Sequence, residues 1–311
     1  MYLPLGATST WLRPMGPVVL NAVAIFVVAA IVFVAMRRWT PRVAAIAHTT
    51  AKEAVSQPLF YLLLAIGAFA IFIFPFVSYF TFGEDVKIVK AEGLTLIKLL
   101  AVVLGLWTAS VSIADEIEGR TALTLLSKPI RRWKLILGKF VGVLIPVALI
   151  FLILGVLFLG SISFKVVYDA RETSNPEPTT QQCQEEMQQI APGLLLAFLE
   201  TLILVSISVA ISTRLSMLAN LTICATIYVL GHLVPMFVAS PFGERFEIVQ
   251  FVANFLAAVI PVLDHFSVEP AIATGQEVPW DYLAWAGGYA LLYCALAMNL
   301  ALLLFEDRDL A

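Results

Sequence analysis

The chain has 311 residues, 60% of them hydrophobic and 13% charged, with a formal net charge of −3 and a mean hydropathy of +0.93. Soluble domains carry about 25% charged residues, so this composition excludes a soluble globular domain and indicates an all-α polytopic membrane protein. Three cysteines, Cys183, Cys224 and Cys294, are too few and too scattered for a disulfide framework; they read as packing residues, Cys183 being the exposed one.

Residues 17–36 form an apolar run that ends at Arg37 and Arg38, and about twenty apolar residues suffice to cross the hydrocarbon core. A cleaved signal peptide is the rival reading, but the basic cluster follows the run and only Arg13 precedes it. The segment 1–41 is therefore read as a retained anchor with its N-terminus outside. Residues 42–57 place Val43, Ile46, Ala47, Ala51, Ala54 and Val55 at helical spacing, with His48, Lys52 and Glu53 elsewhere. That pattern predicts an amphipathic helix, either in the inner interface or serving as a linker, before Pro58 turns the chain into the membrane.

Two further spans are expected over 59–82 and 94–113, with an outer loop holding Glu84, Asp85 and Glu92 between them. After the second comes a polar island, residues 113–139, holding six basic side chains: Arg120, Lys128, Arg131, Arg132, Lys134 and Lys139. Short loops rich in Lys and Arg stay on the cytoplasmic side. Thr121 to Ser127 contains good helix formers, and Pro129 ends the run because it lacks an N–H and restricts Lys128 before it. The short helix presents Leu123, Leu125 and Leu126, which suit either a connector on the membrane or the groove of a soluble partner.

The run Glu118-Gly119-Arg120-Thr121, followed by Leu125-Leu126-Ser127-Lys128-Pro129-Ile130, then Arg132 and Leu137-Gly138-Lys139, resembles the signature of type 2 ABC transporter permeases. It is most similar to the branch containing the permease for nitrous oxide reductase maturation. Arg120 separates Gly119 from Thr121, which many members have adjacent. The resemblance implies a six-span exporter core over 42–311, with the 1–41 anchor as an extra helix. It further implies that residues 42–57 are an elbow helix and that the island carries a coupling helix between core spans 2 and 3. Glu116, Glu118, Gly119, Arg120, Thr121, Leu125, Leu126, Ser127 and Pro129 would then dock on a separate ATP-binding subunit, which would hold ATP and Mg, beside a second permease copy or paralogue.

Span 3 is expected over 135–164, and the polar stretch 165–189 shows no periodicity and reads as an outer loop. Spans 4 and 5 come next over 190–212 and 217–239, joined at Thr213-Arg214. Residues 246–263 are apolar but interrupted by Asn254 and Pro261, so they read as a re-entrant or interfacial outer helix. Span 6 covers 282–305. On this map twelve of the nineteen basic residues lie on the island's side, which puts the C-terminus in the cytoplasm of a cell whose inner (plasma) membrane holds the protein.

Trp133 reads as an anchor of the island, and Trp107, Trp280 and Trp285 as interface or packing aromatics. The chain lacks a phosphate-binding loop of its own: ahead of Gly138-Lys139 stands Trp133 where the first Gly belongs, and Phe140 comes after where Ser or Thr belongs. With only His48, His232 and His265 and no metal-ligand spacing, neither a catalytic nor a metal site is expected. Glu200 stands alone between Leu199 and Thr201 in span 4, where an unpaired carboxylate costs a few kcal/mol. Counting outward from the turn at Arg214 places Tyr228 level with it and His232 one turn further. The expected pairing of Glu200 with Tyr228 or His232 serves either to hold helices together or to carry substrate or protons. Lys98 is expected to snorkel to the headgroups. Three functions fit: an ABC permease subunit, a proton-coupled secondary carrier working through Glu200, or a membrane scaffold.

Overall fold

The computed structural model describes residues 8–77, 85–118, 131–173, 176–238, 251, 254–257 and 259–306. Among them there is no β-strand, and seven helical segments are long and apolar enough to cross a membrane. The protein is thus a polytopic helical membrane protein.

The short helix α1 (Thr8–Leu12) leads into α2 (Met15–Trp39). None of the apolar window of this first span is buried inside the chain, so its side chains lie on the outside of the bundle, and Arg37 and Arg38 sit in its last turn, where a cation complements the C-terminal partial charge. Helix α3 (Pro41–Ser56) starts on Pro41, whose fixed φ suits the first helical position. It buries Val43, Ala44, Ala47, Thr50, Ala51 and Ala54, a stripe at helical spacing that packs on α6 (Arg132–Glu172). The approach is close because α6 offers glycine there: a Cβ at Gly142 would stand 2.6 Å from Thr50 Cβ and 2.9 Å from the Ala47 carbonyl oxygen.

Helix α4 (Pro58–Ile73), prolonged by a 3-10 turn over Phe74–Phe76, lies on the outside of the bundle. At its centre stand α5 (Asp85–Glu118), α6 and α8 (Ala191–Ser212). The apolar window of α5 is 67% buried, against 22% in the span formed by α9 (Met217–Val238). Leu104, Val147, Ile150, Leu154, Leu204 and Val205 are fully inside. Gly105 lets α5 close onto α8, since a Cβ there would lie 2.5 Å from Val205 Cγ2. Pro146 sits inside α6, a position that packed membrane helices tolerate because neighbours compensate the freed backbone group. The last span is α11 (Trp280–Glu306).

The stretch 165–189 is not a loop. Helix α6 continues to Glu172, 41 residues in all, about 60 Å against a hydrocarbon core of about 30 Å. Helix α7 (Thr180–Gln188) then starts on a capping box: Thr179 accepts from the Gln182 backbone N–H, and the Gln182 side chain accepts from the Thr179 N–H. Buried lysines tie this extension together. Lys165 lies 2.8 Å from Asp169 and 3.5 Å from Asp85, and Lys90 pairs with Glu186 and donates to Gln189. Cys183, expected to be exposed, is fully buried on α7.

We call the end of the bundle that carries residues 113–139 the near end. Contacts of Trp11 with Phe164 and of Arg214 with the Leu304 carbonyl fix the chain direction: α1 begins at the far end and α11 finishes at the near end. Helix α9 ends toward the far end and α11 starts there, so Val238 and Trp280 lie on one side of the bundle. The re-entrant helix expected over 246–263 falls largely outside the described residues. Beyond it the chain forms a 3-10 turn, Leu263–Phe266, and the short helix α10 (Glu269–Ala273). Leu263, Phe266 and Ile272 of this segment are buried against the bundle.

Candidate functional site

Two levels of buried polar chemistry cross the bundle. At the near end, Asn220 is fully buried on α9, and its amide nitrogen lies 2.7 Å from Ser110 Oγ on α5 and 2.8 and 2.7 Å from Ser208 and Ser212 Oγ on α8. Cys224 Sγ donates to its carbonyl oxygen. Ser110 and Ser212 each also donate to a carbonyl in the preceding turn, of Leu106 and Ser208. Three helices are thereby joined through neutral groups, with every hydroxyl of the knot engaged.

Just beyond this knot the flanks of the island are fastened to their neighbours. Lys139 Nζ donates to the Ser112 carbonyl at 2.9 Å and links α6 to α5. Arg132 reaches the Phe305 carbonyl and lies over its ring, while Arg214 Nε donates to the Leu304 carbonyl at 2.7 Å. Those carbonyls belong to the last turn of α11, where unsatisfied oxygens and the negative end of the helix favour cations. Gly119, Arg120, Thr121, Leu125, Leu126, Ser127 and Pro129 lie outside the described residues. Glu116 and Glu118 are in the last turns of α5, and only their backbone is described.

The second level is charged. Glu200 on α8 is fully buried. Its Oε2 lies 3.3 Å from Lys98 Nζ on α5, and its Oε1 lies 3.3 Å from His232 Nε2 on α9. Neither contact is aligned as a hydrogen bond. Lys98 spends its hydrogen bond on Glu269 Oε1 of α10, at 2.7 Å. This corrects the snorkelling assignment. Lys98 is only 4% exposed, because two carboxylates from separate segments supply countercharge inside. Tyr228 makes no hydrogen bond to Glu200; its ring lies 4.7 Å from that of His232, and its carbonyl faces His232 Nδ1 at 2.9 Å.

Glu200 was conspicuous in the sequence as a lone carboxylate in an apolar run, whereas Lys98, near the end of its span, read as a snorkelling lysine and Glu269 was missed in a polar stretch. Asn220 was missed as well, although an amide within a span carries the same signal as Glu200 in weaker form. No group of three or more metal-ligating side chains occurs among the described residues.

Residues 19–310 match the family model described as ABC-2 family transporter protein. The match takes in most of α2 as well as the six later spans. No curated protein matches the chain.

Proposed function

This chain belongs to the ABC-2 transporter family, and on that premise we propose that it is the permease subunit of an exporter whose ATP is hydrolysed on a separate ATP-binding subunit. The observation that carries the reading is the family match over 19–310, taken with the basic island that interrupts the bundle between two of its central helices, α5 and α6. The near end faces the cytoplasm in this reading, because a concentration of Lys and Arg beside membrane spans is retained there, and the N-terminus is outside. Glu116, Glu118, Gly119, Arg120, Thr121, Leu125, Leu126, Ser127 and Pro129 form the dock, the leucines seating in a groove of the ATPase. ATP and Mg are held by that partner.

Two permease chains, identical or paralogous, complete the transporter. Closure of the ATPases displaces the dock. The Lys139 link between α6 and α5, together with the Arg132 and Arg214 links to α11, passes that displacement on to three spans. The Leu-Leu-Ser-Lys-Pro step over 125–129 supports a place in the branch that serves nitrous oxide reductase maturation. Leu126→Glu tests the dock. Insertion and folding should be unchanged, while stimulation of the co-reconstituted ATPase by the permease should fall about tenfold or more, as expected when an interface anchor worth over 1.4 kcal/mol is lost. Undiminished coupling in that variant rejects the docking role.

A further inference from the structure

His232 poses a problem of proton counting. Its Nδ1 faces the Tyr228 carbonyl oxygen at 2.9 Å and its Nε2 faces Glu200 Oε1 at 3.3 Å. A neutral imidazole carries one N–H and one lone pair. With the hydrogen on Nδ1, the bare Nε2 lies 3.3 Å from an ionised carboxylate oxygen. With it on Nε2, the Nδ1 lone pair points toward a carbonyl oxygen. Either tautomer sets two acceptors against each other, and Glu200 has no exposed surface. One additional proton removes it, as an imidazolium on His232 or as a carboxylic acid on Glu200 that donates to Nε2.

Charge counting leads to the same number. Lys98 contributes one positive charge, Glu200 and Glu269 two negative charges, and neutral His232 none, so the cluster is one positive charge short. The other titratable groups in reach do not fill the gap. Tyr228 on α9 adds no positive charge, Asp264 on the docked segment is a further negative charge but is exposed, so solvent screens it, and α6 carries no titratable side chain between Lys139 and Lys165. On α11, Cys294 is bonded to the Leu202 carbonyl, and Tyr289 and Tyr293 add no positive charge.

We propose that Glu200 and His232 together hold one exchangeable proton, so that the cluster is a proton-binding site built into the bundle. His232 is the least buried of the three, its side chain 23% exposed against 0% and 5% for Glu200 and Lys98, although its Nε2 is itself buried against Glu200. Release of the proton leaves Glu200 and Glu269 as surplus like charges around one lysine. Glu269 is the member carried by the short segment, so proton loss weakens the docking of Leu263–Ala273 against α5. The site works in the isolated chain and does not rest on the ATP-driven reading.

The test uses the full chain alone in lipid nanodiscs, labelled with nitrogen-15 in histidine and carbon-13 in the glutamate carboxyl, and observed by NMR. The chain has only three histidines, so His48→Gln and His265→Gln assign the His232 signal by elimination even if His232→Gln does not fold. Near pH 7 the wild-type chain should show one proton at the site, as a His232 imidazolium or as a single carboxylic acid signal that Glu200→Gln or Glu200→Asp removes or shifts. Raising the pH should discharge it in one step seen by both labels. A neutral His232 beside a fully ionised set of glutamates near pH 7 overturns the proposal, as does the presence of two protons.

Discussion

The two polar levels of the bundle occupy the same three helices and differ in chemistry. On α5, α8 and α9 the paired positions are 98 and 110, 200 and 212, and 232 and 220, twelve residues apart in each case and therefore about 18 Å apart along the axes. The near level is amide and hydroxyl, fully hydrogen-bonded and uncharged. The far level is ionic, and the Glu200 oxygens lack hydrogen bonds. A satisfied neutral knot fixes helices in one arrangement, whereas a charge cluster has a stability that depends on who holds the protons and on whether the segment carrying Glu269 is docked. The level beside the island is thus suited to transmitting displacement, and the level remote from it to changing state.

Removing the cation should produce the largest effect. Lys98→Met strips the countercharge from two carboxylates, and breaking a buried pair costs about 3–5 kcal/mol. We expect a large fall in the midpoint of thermal unfolding, followed by size-exclusion in detergent, with much of the loss recovered in the double variant Lys98→Met/Glu200→Gln. If the single variant is no less stable than a substitution in the neutral knot, the contrast between the levels disappears.

Asn220→Ala sharpens the comparison at an intermediate scale. It removes the amide but leaves Ser110 and Ser212 bonded within their own helices, so few groups are orphaned. Hydrogen bonds between membrane helices average about 0.6 kcal/mol and reach about 1.7, and a loss of about 1 kcal/mol is expected by unfolding in mixed micelles. None of its amide or hydroxyl members titrates between about pH 5 and 8, so the loss should be equal at both ends of that range. A loss that changes with pH would show that the near level, too, contains a proton-dependent group.

The sequence was legible where one periodicity or one residue carried the signal. Apolar runs gave the seven spans, the alanine-rich stripe from Val43 to Ala54 gave α3, and the lone Glu200 gave one corner of the charged level. It was illegible where the signal was distributed over the chain. Lys98 and Glu269 are 171 residues apart, and each looks like an ordinary polar residue until folding opposes them. The far-end extension failed for a different reason. Its helices are held by Lys90 and Lys165 ion pairs together with a few scattered buried side chains, Val167, Cys183 and Met187, too sparse to form a periodic apolar stripe.

That extension did carry one local signal, the Thr-x-x-Gln spacing of a capping box at Thr179 and Gln182, and it supplies the smallest predicted effect. Thr179→Ala removes the acceptor for the Gln182 N–H at the start of a nine-residue helix, which is too short to persist without tertiary contacts. The cap is worth about 1 kcal/mol, while Cys183 and Met187 remain buried against the bundle and keep α7 in place. Hydrogen exchange of amides 180–184 should therefore rise about fivefold, with exchange in α5 and α8 unaltered. If exchange also rises around Lys98 and Glu200, the far-end extension and the charged level are one cooperative unit, and the boundary between changeable and fixed regions moves outward to include α7.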